Sequence, residues 1–245
     1  MVATAQFGAG QVILPAENFP ALEAIDLDDD GDLDLITLSG DQNFKWAENT
    51  DGAGTLAGLS LFLNAGSVTT YAFGDIDLNG TTDLVFVDDE NSMRSASGNG
   101  GGDFSAPALV AMLSGEAGKL VLEDVTGDDL PEIVVSIFTG SISRIAVIPN
   151  VAGTFGTPGL LSPQIEGAVP SILLVGEFDG MGGKDILFMN EMNAAIGLLN
   201  VNGDGSEWQE MTFFNLFDYL FVDPELIDVD GDGDLDIAEA HQSVV

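Results

Sequence analysis

Residues 25–36 read IDLDDDGDLDLI, six aspartates within nine positions running into an apolar stretch. Alone, the string fits a calcium loop, an acidic surface turn or half of an EF-hand. Its recurrence narrows the choice. The pattern returns as DIDLNGTTDLV (75–85), DVTGDDLPEIV (124–134), EFDGMGGKDIL (177–187) and DVDGDGDLDIA (228–238). First positions fall at 26, 75, 124, 177 and 228, spaced by 49, 49, 53 and 51 residues, so five units of about fifty residues fill the chain.

A second element recurs in phase: FGAGQVIL (7–14), TLAGLSLFL (55–63), FSAPALVAM (104–112), FGTPGLLS (155–162) and a looser EWQEMTFF (207–214). Each unit then reads as four short strands. Strand A enters the acidic loop and strand B leaves it, strand C follows a polar turn, and strand D is the Phe-Gly-like segment. Short Val/Ile/Leu/Phe runs between 31 glycines spread along the chain point to an all-β protein. Four strands per unit of this length is the signature of a β-propeller blade, stacked so that neighbours bury each other's faces. The expectation is one domain, 1–245, with five four-stranded blades. Reading Val244 and Val245 into Met1–Phe7 gives VVMVATAQF, which overlays IPNVAGTF (148–155). The N- and C-terminal strands are therefore expected to complete one blade and close the ring. A fragment of a larger seven- or eight-bladed array is the alternative.

Composition limits the function classes. The 245 residues carry 41 acidic and 5 basic side chains, a formal net of −36. Such a surface repels nucleic acid and anionic lipid and attracts cations. No apolar run approaches the roughly 20 residues of a membrane helix, and MVATAQFGAG has neither a basic nor an apolar signal region. There is no cysteine, hence no disulfide framework or thiol nucleophile, and His241 is the only histidine. No glycine-rich phosphate loop or basic cluster occurs. Of the 41 acids, 21 lie in the five repeated loops. A hydrolase needs carboxylates whose surroundings split their pKa values, and none stands out.

Calcium takes six to eight oxygen ligands, and D-x-D-x-D-G supplies them from alternate residues of a tight loop. Side chains come from positions 1, 3 and 5, glycine at 6 allows the sharp turn, and position 7 offers a carbonyl. In the first repeat these are Asp26, Asp28, Asp30, Gly31 and the Asp32 carbonyl, with Asp34 closing the shell at position 9. Asp29 and the Asp32 side chain are expected to point outward. Residues 228–239 also match the EF-hand pattern through Glu239 at position 12, but that position is Thr37, Phe86, Val135 and Phe188 elsewhere. The flanks read as strands, which rejects the helix–loop–helix reading.

The repeats resemble the FG-GAP/VCBS repeats of integrin α-subunit propellers and of many bacterial surface proteins, over nearly the whole chain. In that family, D-x-D-x-D-G-x-x-D loops between strands A and B bind calcium. The resemblance implies a second site from Asp75, Asp77, Asn79, Asp83 and the Thr81 carbonyl. It implies a third from Asp124, Thr126, Asp128, Glu132 and the Leu130 carbonyl, with Asp129 where glycine is usual. A fifth-repeat site would use Asp228, Asp230, Asp232, Asp236 and the Asp234 carbonyl. The fourth repeat departs most: Glu177, Asp179 and Asp185 are usable, but Met181 stands at position 5, a soft thioether unsuited to calcium. That site is expected to be weak or empty. About four structural Ca2+ ions would move the formal charge only from −36 to −28. The remaining acidity suggests a saline or calcium-rich exterior.

In such a blade the opposite face carries the D–A and B–C connections, and there the relatives engage partners. Here it would hold ENFP (17–20), SGDQN (39–43), DDENS (88–92), NEMNA (190–194), EAHQS (239–243) and the long NLFDYLFVDP (215–224). Phe217, Tyr219 and Phe221 of the last segment read either as a docking patch for a protein or sugar ring or as a plug of the central channel. Trp46 and Trp208 read as blade packing rather than sugar stacking. The function expected is a non-catalytic, calcium-binding extracellular module for adhesion, protein interaction or scaffolding, without nucleic-acid partners or membrane insertion. The alternatives are a calcium-dependent lectin and a polysaccharide-active lyase or hydrolase. Self-assembly by exchange of terminal strands is a further expectation.

Overall fold

The computed structural model describes residues 21–161, 165–166, 172–189, 194–215, 219–231, 233 and 235–243. Among them the chain is strand and turn throughout, without helix, and no helix is long and apolar enough to cross a membrane. Strands β1 (Ala21–Ile25), β2 (Asp34–Leu38), β3 (Asn43–Ala47) and β4 (Ser60–Asn64) form one antiparallel sheet in sequence order. Strands β5 (Thr70–Gly74), β6 (Asp83–Val87), β7 (Ser92–Ala96) and β8 (Ala108–Met112) form the next. The third comprises β9 (Glu116–Glu123), β10 (Glu132–Phe138) and β11 (Ile142–Ile148); after the small β12 (Asn150–Val151) and β13 (Thr154–Phe155) ribbon, β14 (Gly159–Leu160) and β15 (Ile165–Glu166) complete it on β11. The fourth is β16 (Ile172–Gly176), β17 (Asp185–Met189), β18 (Ala194–Asn200) and β19 (Trp208–Asn215). Of the fifth repeat, β20 (Tyr219–Ile227) pairs β21 (Asp236–Ser243). Residues 1–20, 244 and 245, on which the ring-closure expectation falls, lie outside the described residues.

The second strand of each of the first four sheets is largely buried on both faces, which is why DLVFV and EIVVSIF read as continuous apolar runs rather than alternating ones. The fourth strands β4 and β8 are short and largely exposed, so the first two sheets end on blunt edges. The core lies between successive sheets. Phe44, Leu84 and Phe86 join the first two, Val85, Ile133 and Ile148 the second and third, and Val134, Ile186 and Phe188 the third and fourth. The first strands carry this stacking inward: β5 packs on β9, β9 on β16, and β16 on β20.

Phe44 is fully buried and meets Tyr71 and Phe73 edge-on, with centroids 5.0 and 5.9 Å away. Phe44→Ala removes this wedge between two sheets, and a loss of about 3–5 kcal/mol in denaturant unfolding is expected. A cost below about 1 kcal/mol would mean the first two sheets do not share a packed core.

Candidate metal centre

Each acidic loop is the turn between the first and second strands of its sheet, so all five repeat one local geometry. Positions 4 and 6 take left-handed φ in every copy: Asp29 and Gly31, Leu78 and Gly80, Gly127 and Asp129, Gly180 and Gly182, Gly231 and Gly233. Asp129 therefore fills the usual glycine place, a conformation acidic and amide residues tolerate better than most. Leu78 is the costly exception, at φ 58 with its side chain 55% exposed. A left-handed turn costs a bulky residue about 1–2 kcal/mol, so Leu78→Gly is expected to raise stability by about 1 kcal/mol in chemical denaturation. A destabilised variant would show that the exposed leucine has a contact role.

The position-1 acid folds the loop around itself. Asp75 accepts hydrogen bonds from the N–H groups of Asn79 (3.0 Å) and Gly80 (2.9 Å), and Asp26 accepts from Gly31 (3.0 Å). Position 5 caps the chain two residues on: Asp30, Asn79 and Asp128 accept from the N–H of Asp32, Thr81 and Leu130.

Position 9 has a different role. Asp34, Asp83, Glu132 and Asp185 are buried, and each uses both oxygens. One oxygen accepts from the N–H at position 2 of its own loop, Leu27, Ile76, Val125 or Phe178, at 3.0–3.1 Å. The other accepts from the N–H of Asn49, Gly98, Asn150 or Asn200, at or just beyond the end of the third strand. Asp236 likewise accepts from Val229 N–H at 3.0 Å. Burial holds the Asp83, Glu132 and Asp185 carboxyls above their usual range, against the lowering effect of these N–H donors.

The loops bring together acids from positions 1, 3 and 9. In four groups, each of three residues offers one oxygen within 4.8 Å of the others: Asp26, Asp28 and Asp34; Asp75, Asp77 and Asp83; Glu177, Asp179 and Asp185; Asp228, Asp230 and Asp236. Among the described acids at position 5, Asp30 and Asp128 are outside these groups. Met181 is 73% exposed, and the fourth triad assembles without it. In the third loop Thr126 puts a hydroxyl at position 3, leaving Asp124 and Glu132 as the carboxylates at equivalent places. Asp232 and Asp234 lie outside the described residues, as does Phe217, and nothing is described of the side chains of Tyr219, Phe221 and His241.

The first loop shows what such a group could hold. Asp26 Oδ1 and Asp28 Oδ1 are enclosed and accept no hydrogen bond. Burial raises the Asp28 carboxyl, and the charges of Asp34 and Asp30 push it further. Converging oxygens without a nitrogen or sulfur ligand suit a hard divalent cation. The Asp32 side chain does not point outward as expected: its Oδ1 is enclosed, and its carboxylate lies against Gly52 of the loop after β3. Trp46 lies over Gly102, where a Cβ would come within 2.4 Å of the ring, and Trp208 donates its indole N–H to Gly205 O at 2.9 Å, so both work in packing.

One set of residues escaped the sequence reading. Asn150 Nδ2 donates to Ile76 O (2.7 Å) in the preceding repeat's loop, and Asn200 Nδ2 donates to Val125 O (2.8 Å) in the loop before it. Their Oδ1 atoms accept from Gly153 and Gly205 N–H, each at 3.0 Å. The second repeat has Gly98 in this place, and Thr82 Oγ1 makes the link instead, to Asp26 O at 3.3 Å. Gly153 (φ 77) then sits on the neighbouring loop so closely that a Cβ would lie 2.6 Å from that of Asp77. The signal was in the sequence: Asn49 and Asn200 each stand fifteen residues after position 9, five before a glycine.

Residues 26–86 match the model of the FG-GAP-like repeat family. No curated protein matches the chain. Among solved structures, a chain in the Tc holotoxin pore of Photorhabdus luminescens is similar at 18% identity and a TM-score of 0.50, over 91% of this chain. The match spans 11% of that chain's length, and it bears on fold alone.

Proposed function

Because the chain carries an FG-GAP-like repeat, we propose that it is a calcium-stabilised β-propeller of five four-stranded blades that binds partners rather than catalysing a reaction. The observation that carries this is the recurrence of one carboxylate triad at the same turn of four sheets. Each triad would give Ca2+ three side-chain oxygens, completed by loop carbonyls and water. The sequential stacking of sheets through their first strands supports the radial arrangement. The acids gathered in the loops serve the turns and the cation, which argues against a paired-carboxylate hydrolase. Such metal-braced repeats suit an exterior where calcium is plentiful, and the role proposed is extracellular adhesion or scaffolding through the face opposite the loops.

Elemental analysis of protein dialysed against calcium and then against metal-free buffer tests the metal. About four ions per chain are expected, one for each triad. Retention of none would overturn the reading.

A further inference from the structure

On the face opposite the acidic loops, a cleft of about 410 Å³ opens between the first strands of three successive sheets. That is the size of a small-ligand site, on the order of 300–1,000 Å³. Its walls mix one acid, one cation, neutral polar groups and apolar surface: Glu23, Lys119, Gln42, Thr70, Tyr71 and Leu120. Burial and the neighbouring Glu23 carboxylate, from the adjacent sheet, hold the Tyr71 hydroxyl in its protonated form. Gln42, at a positive φ in its turn, uses Oε1 to accept from Val68 N–H (3.0 Å).

Lys119 is placed there by a break in the sheet. The pairing of β9 with β10 runs Leu120 with Val135 and then Ala117 with Ile137, so Gly118 and Lys119 together face Ser136. Ser136 Oγ accepts the Lys119 N–H at 2.9 Å in place of the lost ladder bond. Such bulges re-aim side chains; the corresponding pairs β1–β2, β5–β6 and β16–β17 are regular, and β20–β21 shifts register too. Three other cations of the chain are engaged with acids, Lys45 with Asp41, Arg94 with Asp88 and Lys184 with Glu123. Lys119 is exposed and has no ion pair among the described residues.

We infer that this cleft is a binding site for one sugar residue of a neutral glycan. A saccharide presents hydroxyls that both donate and accept, beside a patch of C–H surface. The cleft offers a matching set: ammonium, hydroxyl and carboxamide donors, a carboxylate acceptor, and the apolar surface of Tyr71 and Leu120. Its volume suits a single sugar residue. A net charge of −36 disfavours polyanionic saccharides. The inference deepens the proposed binding role by naming its ligand class, and it does not depend on metal at the loops.

The test is saturation-transfer NMR and calorimetry of the full chain against neutral monosaccharides and disaccharides, with uronic acids and a polar peptide as further arms. Calcium content is measured separately on the same samples, so failure of the metal reading is seen apart from failure of this one. At least one neutral sugar is expected to bind. Lys119→Ala and Glu23→Gln should each weaken it about tenfold, the loss of one hydrogen bond to a charged group. Far-UV circular dichroism and the melting temperature should stay unchanged. Arg94→Ala, away from the cleft lining, should leave binding intact. The inference is overturned if no neutral sugar binds at millimolar concentration, if only uronic acids or the peptide bind, or if neither cleft variant alters affinity.

Discussion

Chelation with EGTA at neutral pH is expected to lower the melting temperature by roughly 20–40 °C. A ligand held at a hundredfold excess over its Kd stabilises the folded chain by about 2.7 kcal/mol. Four triads would together supply about 11 kcal/mol, and for a chain of this size each kcal/mol moves the transition by about 2–4 °C. The metal-free chain should also answer to pH in a particular way. Burial raises the Asp83, Glu132 and Asp185 carboxyls above the ordinary values of 3.8 and 4.5. A raised carboxyl binds its proton first in the folded state, so stability is lowest when all three are ionised and increases as pH falls through their folded pKa values. The gain is complete once the unfolded chain protonates too, near 4. The hydrogen-bonded Asp51 and Asp204, lowered by their threonine and serine partners, act the other way, and their contribution is lost below 3.8. With calcium present, protons compete with the ion. Acidification from neutrality should therefore raise the melting temperature in EGTA and lower it in calcium. Identical curves in the two buffers would remove the metal from the account.

Asp83→Ala should cost roughly 2–6 kcal/mol even in EGTA. Asp83 is 1% exposed and accepts from Ile76 and Gly98 N–H at 3.0 and 2.9 Å. Without the carboxylate the buried Ile76 donor and the part-buried Gly98 donor are left unpaired, at about 1–3 kcal/mol each. In calcium the loss grows, because the same residue closes the second triad. Asp77→Ala is the informative contrast. Its side chain is exposed and helps cap one turn, with Asn79 N–H at 3.2 Å, so it should be nearly silent in EGTA and destabilising in calcium. Equal effects for the two variants in both buffers would show that position 9 has no structural duty beyond the cation.

Most of the strand order could be read from the sequence because the acidic loops fall in register and their apolar flanks are continuous. The triad at positions 1, 3 and 9 was legible for the same reason: those residues alternate along one turn. Position 5 was not. In the sequence it reads as a third ligand, and in the fold its oxygen also accepts the N–H two residues ahead, as Asn79 does from Thr81. The linking asparagines were overlooked because their partners are backbone carbonyls some seventy residues away, at Ile76 and Val125. No side-chain pattern announces a carbonyl. The cleft was equally hidden, since it depends on a two-against-one pairing at Ser136 that only the ladder reveals.

The peptide groups of Ile76 and Val125 are held from two directions. Each N–H is fixed by the acid of its own loop, and each carbonyl by an asparagine of the following repeat. An ion that orders one loop therefore also sets the anchor on which its neighbour closes, and the neighbour's closure in turn favours the ion. Through such links each loop is joined to the next in series. Cation uptake along the chain should therefore be steeper than for independent sites, with repeats tightening or loosening in company.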